Sequence, residues 1–214
     1  KRAHLLFCVA TVILVYYLAF PKKRLEKTFK LVIAGAFVAF GLAIFSEYVP
    51  QINSVFERFQ TAGTDKESLG RFIMWKYAFN LFEQKPLLGT GWWGFRYSAI
   101  TNVRADALTG CHNVYIEILS NCGVIGFFIF VVAIISSLYV ALNGLKFCLD
   151  NNLNDYSVVQ FCSLSIQMFC LMYCMTGNVM FDRTFHFYMI AVVMSVAFYL
   201  NKDKVLYLYL QEEE

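Results

Sequence analysis

Charge is scarce in this sequence. Asp, Glu, Lys and Arg make up 15 % of the 214 residues against 59 % hydrophobic residues, and the mean hydropathy is +0.56. That shortage excludes an ordinary water-soluble domain, which carries about 25 % charged residues, and points to a chain that lives in lipid. The net charge of +3 is too small and too scattered to hold a polyanion, so no nucleic acid is expected as a partner. The seven cysteines (Cys8, Cys111, Cys122, Cys148, Cys162, Cys170 and Cys174) contain no CxxC pair. Most lie in apolar runs, where Cys packs as a small hydrophobe, so neither a disulfide framework nor a metal site is expected. No small-residue cleavage site follows Val9 to Tyr17, which excludes a signal peptide. A candidate pair of catalytic carboxylates is lacking too, and no cofactor is implied. The chain opens on Lys1 and runs straight into apolar residues, so it reads as the C-terminal part of a longer protein.

What is present is a series of hydrophobic runs. Crossing a bilayer core of about 30 Å takes about 20 apolar residues, and five stretches approach that length: Leu5 to Phe20, Leu31 to Phe45, Val114 to Leu142, Val158 to Met175 and Phe185 to Leu200. The expected fold is all-α, a polytopic transmembrane bundle of about five spans. Its expected parts are residues 1–45 with two spans, a long helical loop over 46–112, three spans over 113–200, and a cytoplasmic tail over 201–214. Lys22, Lys23, Arg24, Lys27 and Lys30 stand between the first two spans against Glu26 alone, and the positive-inside rule puts that loop in the cytoplasm. Alternation then places 46–112 outside, 143–157 inside, 177–184 outside and the tail inside, in agreement with Lys202 and Lys204. Lys1 and Arg2 run against the scheme.

The long loop carries the chemistry. Connections of this length are functional or disordered, and this one holds all three tryptophans, Trp75, Trp92 and Trp93. Within RFIMWKYAFNLF, Lys76, Asn80 and Glu83 share one helix face while Phe72, Trp75, Phe79 and Phe82 share another, the pattern of a helix in the membrane interface or packed on neighbouring spans. Ser68 is a plausible N-cap, which puts Arg71 in the first turn, where a cation is disfavoured. Free N–H groups beside a guanidinium suit a phosphate; the alternative is an arginine reaching for lipid headgroups. PLLGTGWWGF, with Gly89, Gly91 and Gly94 after Pro86, reads as a compact turn where backbone closely approaches something, not as a dinucleotide fingerprint, because no strand precedes it. The stretch from His112 to Leu142 would be about 45 Å long as one helix. Val124 to Leu142 suffices to cross, so the turns from His112 to Gly123 are expected to protrude and face the amphipathic helix.

His112 enters this third span next to Asn113 and one turn before Glu117. A histidine at a water–lipid boundary can serve as a general base, or be structural, as His4 and His186 are read. Asn113 and Glu117 share a face and would hold a sugar hydroxyl or bond to each other. Gly123 and Gly126 resemble small-residue packing spots. Asp182 and Arg183, at a span entrance, would pair with each other or with the long loop. Arg58, Arg96 and Arg104 are balanced by Glu57, Glu67, Glu83 and Asp106, which favours a local anion pocket over a broad basic surface.

GRFIMWKYAF, PLLGTGWWGF and CHNVYIEILSNCGVIGFF, in that order and spacing, resemble the C-terminal signature region of the O-antigen ligase and O-antigen polymerase superfamily. The resemblance covers residues 68 to 130. It implies a bacterial envelope glycosyltransferase in the inner (plasma) membrane, with its working loop on the extracytoplasmic face. Its partners would be an undecaprenyl-pyrophosphate-linked glycan donor, a glycan acceptor, membrane lipids and other polysaccharide-assembly proteins such as a chain-length regulator. It further implies His112 as the residue that activates the acceptor hydroxyl and Arg71 as a contact to the donor pyrophosphate, with Arg58 a weaker candidate for the same pocket. A second phosphate-binding arginine would come from a helix outside this sequence. VIGFF stands where a ligase has further polar residues, which favours a polysaccharide polymerase. The expected reaction is a metal-independent inverting transfer with His112 as base, since no carboxylate pair or metal cluster suggests otherwise.

The acceptor distinguishes the neighbouring readings: lipid A for a ligase, a protein hydroxyl for an oligosaccharyltransferase. A lipid or glycan transporter would place ionisable or broken-helix sites near the bilayer midplane. The spans show few such groups, Gln167 being the clearest. A membrane scaffold is the remaining alternative.

Overall fold

The computed structural model describes residues 2–19, 26, 28–35, 37, 66–103 and 110–212. Arg58, Arg104, Glu57, Asp106, most of the basic loop and most of the expected second span lie outside the described residues, as does Glu67's side chain. Residues 28–35 are helical, with Lys30 and Glu26 paired at 2.7 Å.

Among the described residues the fold is all helical. The elements are α1 (Arg2–Ala19), α2 (Lys66–Gln84), α3 (Gly94–Asn102), α4 (Val114–Asp150), α5 (Asn154–Tyr173), a 3-10 turn (Val179–Phe181) and α6 (Phe185–Glu212). α4, α5 and α6 are long and apolar enough to cross a membrane, and Leu6–Ala19 is a shorter apolar helix. These three helices pack on one another, and α1 lies against α5 and α4 through Val15, Ala19, Ala141, Leu145 and Leu164. At the far end Cys148, Leu153 and Phe198 close the bundle. α6 does not stop at Leu200: residues 201–212, expected as a separate tail, continue the helix, for no Gly or Pro interrupts it. Lys202 lies over the Phe147 and Tyr199 rings.

The outward surface of the bundle is apolar (Phe128, Ile129, Ile135, Val158, Phe187, Val193), and several buried contacts are polar. Ser163 Oγ donates to the Ala191 carbonyl at 2.5 Å and meets Ser195 Oγ at 2.6 Å, and Gln167 Nε2 adds a bond of 3.3 Å to Ser195. In hydrocarbon, apolar side chains gain little by touching each other rather than lipid, so such bonds act as interhelical glue. Gln167 therefore has an assigned role, holding α5 to α6.

α4 is two helices in one. Gly123 breaks it with φ 63° and ψ −168°, at the boundary expected between protruding turns and membrane span. The PLLGTG loop fills the break. Val124 and Ile125 donate to the Pro86 and Leu87 carbonyls (2.8 and 3.3 Å), while the Ser120 and Asn121 carbonyls accept from Thr90 and Gly91 (3.0 and 2.8 Å). Donors and acceptors that a broken helix would leave open are thus taken up by one loop. Gly89 and Gly123 are required by closeness. A Cβ on Gly89 would stand 2.4 Å from the Asn121 carbonyl, and one on Gly123 2.3 Å from the Leu87 oxygen. Gly123 is therefore the seat of a loop rather than a spot for a neighbouring helix, and a Cβ on Gly126 would meet Cys122 of its own helix.

Candidate active site

Two of the helices in the long loop make the frame. α2 buries Met74, Ala78 and Leu81 against Phe95, Ala99 and Cys111. The aromatic stripe is divided: Phe72 and Phe79 are 51 % and 43 % exposed, while Trp75 packs against the buried cluster. Met74, Ala78 and Leu81 follow the same i, i+4, i+7 rule one position around, and their smaller volumes suit close packing on α3 and α4. Lys76, Asn80 and Glu83 are exposed, as their pattern requires. The helix already runs through Lys66–Glu67–Ser68, so Ser68 is inside it and not its N-cap, and Arg71 lies in the second turn. Its free N–H groups are accordingly not those of the helix start. Arg71 is half-buried.

α3 begins beyond two left-handed residues, Gly91 (φ 94°) and Trp93 (φ 66°), and the Asn121 side chain accepts from the Phe95 amide at 2.8 Å. This start turns Arg96 inward. Arg96 is 5 % exposed, its guanidinium 4.6 Å from the centroids of both Trp93 and Phe181, and its Nε donates to Glu117 at 2.5 Å. Glu117 is 0 % exposed and also accepts from the Cys111 amide at 3.2 Å. A buried ion pair of this kind is held by such surrounding bonds and stacking, since desolvation offsets most of its Coulomb attraction. Arg96 is thus paired with Glu117 of α4.

Gly110, Cys111 and His112 form a tight corner before α4. A Cβ on Gly110 (φ +79°) would lie 2.6 Å from Glu117 Oε2, 2.7 Å from Arg96 Nη2 and 3.1 Å from Asn178 Oδ1, so three polar side chains converge there. His112 follows in the left-handed region (φ 57°), half-buried, and its amide donates to Asn178 Oδ1 at 3.1 Å. Asn113 caps α4, its side chain accepting from the Ile116 amide at 3.2 Å. Val114 donates to the Cys174 carbonyl at 2.8 Å, which ties the start of α4 to the end of α5. Trp75 Nε1 donates to the Cys111 carbonyl at 2.8 Å. Arg71 lies one turn before Trp75 on the same face of α2.

Of the residues singled out from sequence, His112, Asn113 and Glu117 thus meet at one corner, with Arg71 on the helix that touches it. Asn113 and Glu117 do not bond each other through their side chains. Glu117 entered as a substrate-binding candidate, and its full burial makes it a holder of Arg96 and of the Cys111 amide instead. Arg183 is exposed in the turn between α5 and α6, five residues past Asn178, and its carbonyl meets His186 Nδ1 at 3.0 Å. Asp182 and Arg183 form no ion pair with each other among the described residues. Arg96 and Asn178 were not chosen from sequence. Arg96 had one usable signal, a charge set directly behind WWGF; Asn178 had none, because its partner is 66 residues away.

Burial pushes the Cys111 thiol far above its usual range, and the Glu117 carboxylate adds to the shift. It is a packed thiol, not a nucleophile. A water-soluble maleimide at neutral pH should leave Cys111 unmodified in the folded protein and label it after denaturation, as read by peptide mass spectrometry; rapid labelling of the folded form would contradict its burial.

A multi-pass helical membrane protein with a loop-filled helix break and a histidine at the start of the broken helix is the class that this architecture defines. A family model described as O-antigen ligase matches residues 1–131, and the chain belongs to that family. The family is one of envelope glycan enzymes, of glycosyltransferase type. No curated protein matches the chain. The matched region takes in α1, α2, α3 and the corner up to the second turn past Gly123, while Asn178 and Arg183 lie beyond it.

Proposed function

We propose that the chain works as an envelope polysaccharide polymerase, moving a glycan from an undecaprenyl-pyrophosphate donor to a sugar hydroxyl of another lipid-linked glycan on the extracytoplasmic side. The observation that supports this reading is the backbone of His112: a half-buried histidine held in a left-handed conformation at the start of α4. Such strained positions are kept where a side chain has to be aimed. In the proposed reaction the His112 imidazole takes the proton of the acceptor hydroxyl, whose oxygen attacks the anomeric carbon. The bond from that carbon to the pyrophosphate oxygen breaks with inversion, and Arg71 stabilises the charge on the departing lipid pyrophosphate. Arg183, exposed at the same end of the bundle, is a second contact for the donor or acceptor. Asn113, as the cap of α4, fixes where the His112-bearing turn enters the helix.

The test is the glycan profile of cells that lack the full-length protein, complemented with wild type, His112→Ala or Arg71→Ala. His112→Ala should remove long polymer at unchanged expression, a loss of about 100-fold or more, with single repeat units accumulating on lipid. Wild-type chain lengths in that variant would sink the base. Full-length polymer left unattached would instead favour transfer to lipid A.

A further inference from the structure

Besides Trp75 on the Cys111 carbonyl, two side chains accept from the backbone amides of the corner that carries His112. Glu117, buried on α4, takes the Cys111 amide, and Asn178, from the turn between α5 and α6, takes the His112 amide at 3.1 Å. The second of these comes from the part of the chain beyond the family match.

Asn178 occupies the N-cap position of the 3-10 turn Val179–Phe181, where asparagine ordinarily caps its own helix, yet its side chain makes no such cap bond. Its oxygen is spent on His112 instead. The side chain is buried (8 % exposed) between Gly177 and the fully buried Val179, and the turn is anchored to α4 by the Val114 to Cys174 bond. From the same turn Phe181 covers the Arg96 guanidinium. A left-handed φ of 57° on a non-glycine residue needs such support. Without it the backbone at His112 would relax toward ordinary φ and swing the imidazole away.

We propose that Asn178 is a positioning residue for the glycan transfer: it sets the direction of the His112 imidazole through the backbone and makes the α5–α6 turn part of the site. This rests on the reading of His112 as the base. In this proposal Asn178 acts through the His112 backbone, so its removal is expected to change turnover and not binding.

The test uses the full-length protein in proteoliposomes, with the undecaprenyl-pyrophosphate-linked repeat unit purified from the same cells. Asn178→Ala should lower kcat about 10- to 100-fold with KM within about twofold, the size of effect that a misaimed catalytic group produces. The melting temperature should stay within a few degrees of wild type. Asn178→Asp, which keeps an acceptor oxygen at the same reach, should recover most of kcat. Should Asn178→Ala not fold, Asn178→Ser, too short to reach the amide, carries the same expectation. Wild-type kcat in the Ala or Ser variant, or equal losses of kcat and stability with no rescue by Asp, overturns the proposal. His112→Ala separates the two failures. If it is inactive while Asn178→Ala turns over normally, only the role of Asn178 falls; if it is active, the base itself falls and the role of Asn178 with it.

Discussion

Gly123→Ala leaves little folded protein, whereas Gly91→Ala is tolerated. Both glycines have positive φ, 63° and 94°, but their surroundings differ. A Cβ on Gly91 meets nothing within 4 Å, so that substitution adds only backbone strain, about 1–2 kcal/mol. A Cβ on Gly123 stands 2.3 Å from the Leu87 oxygen, 2.4 Å from its carbon and 2.7 Å from the Leu88 nitrogen, all backbone. Neither side can give by a rotamer change. The conformation itself, φ 63° with ψ −168°, is open essentially to glycine alone, at roughly 1–3 kcal/mol for another residue. Pushing the loop out also releases the bonds from Val124, Ile125, Thr90 and Gly91, each worth on the order of 1 kcal/mol. The sum is several kcal/mol, a large part of the roughly 5–15 kcal/mol that holds a domain folded. Fluorescence-detected gel filtration of detergent-solubilised protein after heating reads this directly. A wild-type melting temperature for Gly123→Ala would mean that the loop does not sit in the break.

What the sequence reveals and what it hides follow from range. Spans are legible because hydropathy is summed over about 20 residues, and the protrusion of the turns before Gly123 follows because one unbroken helix from His112 would be too long for the bilayer; the break at Gly123 is hidden, since that glycine reads as a packing spot for a neighbouring helix. The glycines of PLLGTG announce a close approach, although not what they approach. α2 is half-legible: its polar edge follows from Lys76, Asn80 and Glu83, but of the aromatic stripe Phe72 and Phe79 stay exposed while Trp75 packs beside the buried stripe, which is made of Met74, Ala78 and Leu81. Large aromatics signal apolar surroundings, and beside a membrane those are either protein or lipid. Pairings across elements are the hidden part. Arg96 and Glu117 are 21 residues apart and His112 and Asn178 are 66 apart, and no periodicity links either pair. The candidate corner was therefore visible through His112, Asn113 and Glu117, while the side chains that hold it rigid were not.

Glu117→Leu destabilises the protein strongly, and adding Arg96→Met restores most of the stability without restoring the function proposed for the corner. Alone, Glu117→Leu leaves the guanidinium of Arg96, 5 % exposed, without its carboxylate. Removing one partner of a buried ion pair costs about 3–5 kcal/mol. Stacking between Trp93 and Phe181 offsets a fraction of that, since cation–π contacts contribute about 0.5–2 kcal/mol. Removing both charges replaces the pair with apolar side chains of similar length among aromatic neighbours, an exchange that is often neutral for stability. The melting temperature should therefore fall in the single variant and return in the double. Glu117 does a second job that leucine cannot do, accepting from the Cys111 amide at 3.2 Å. In the double variant that amide is buried without a partner, and the corner before α4 loses one of the two side chains that accept from its amides. Chain-length profiles of complemented cells should then stay short although the protein is stable and expressed. A double variant that recovers both stability and long polymer would show that the carboxylate serves only to neutralise Arg96; one that recovers neither would show that the pair's geometry, rather than its charge balance, holds α3 to α4.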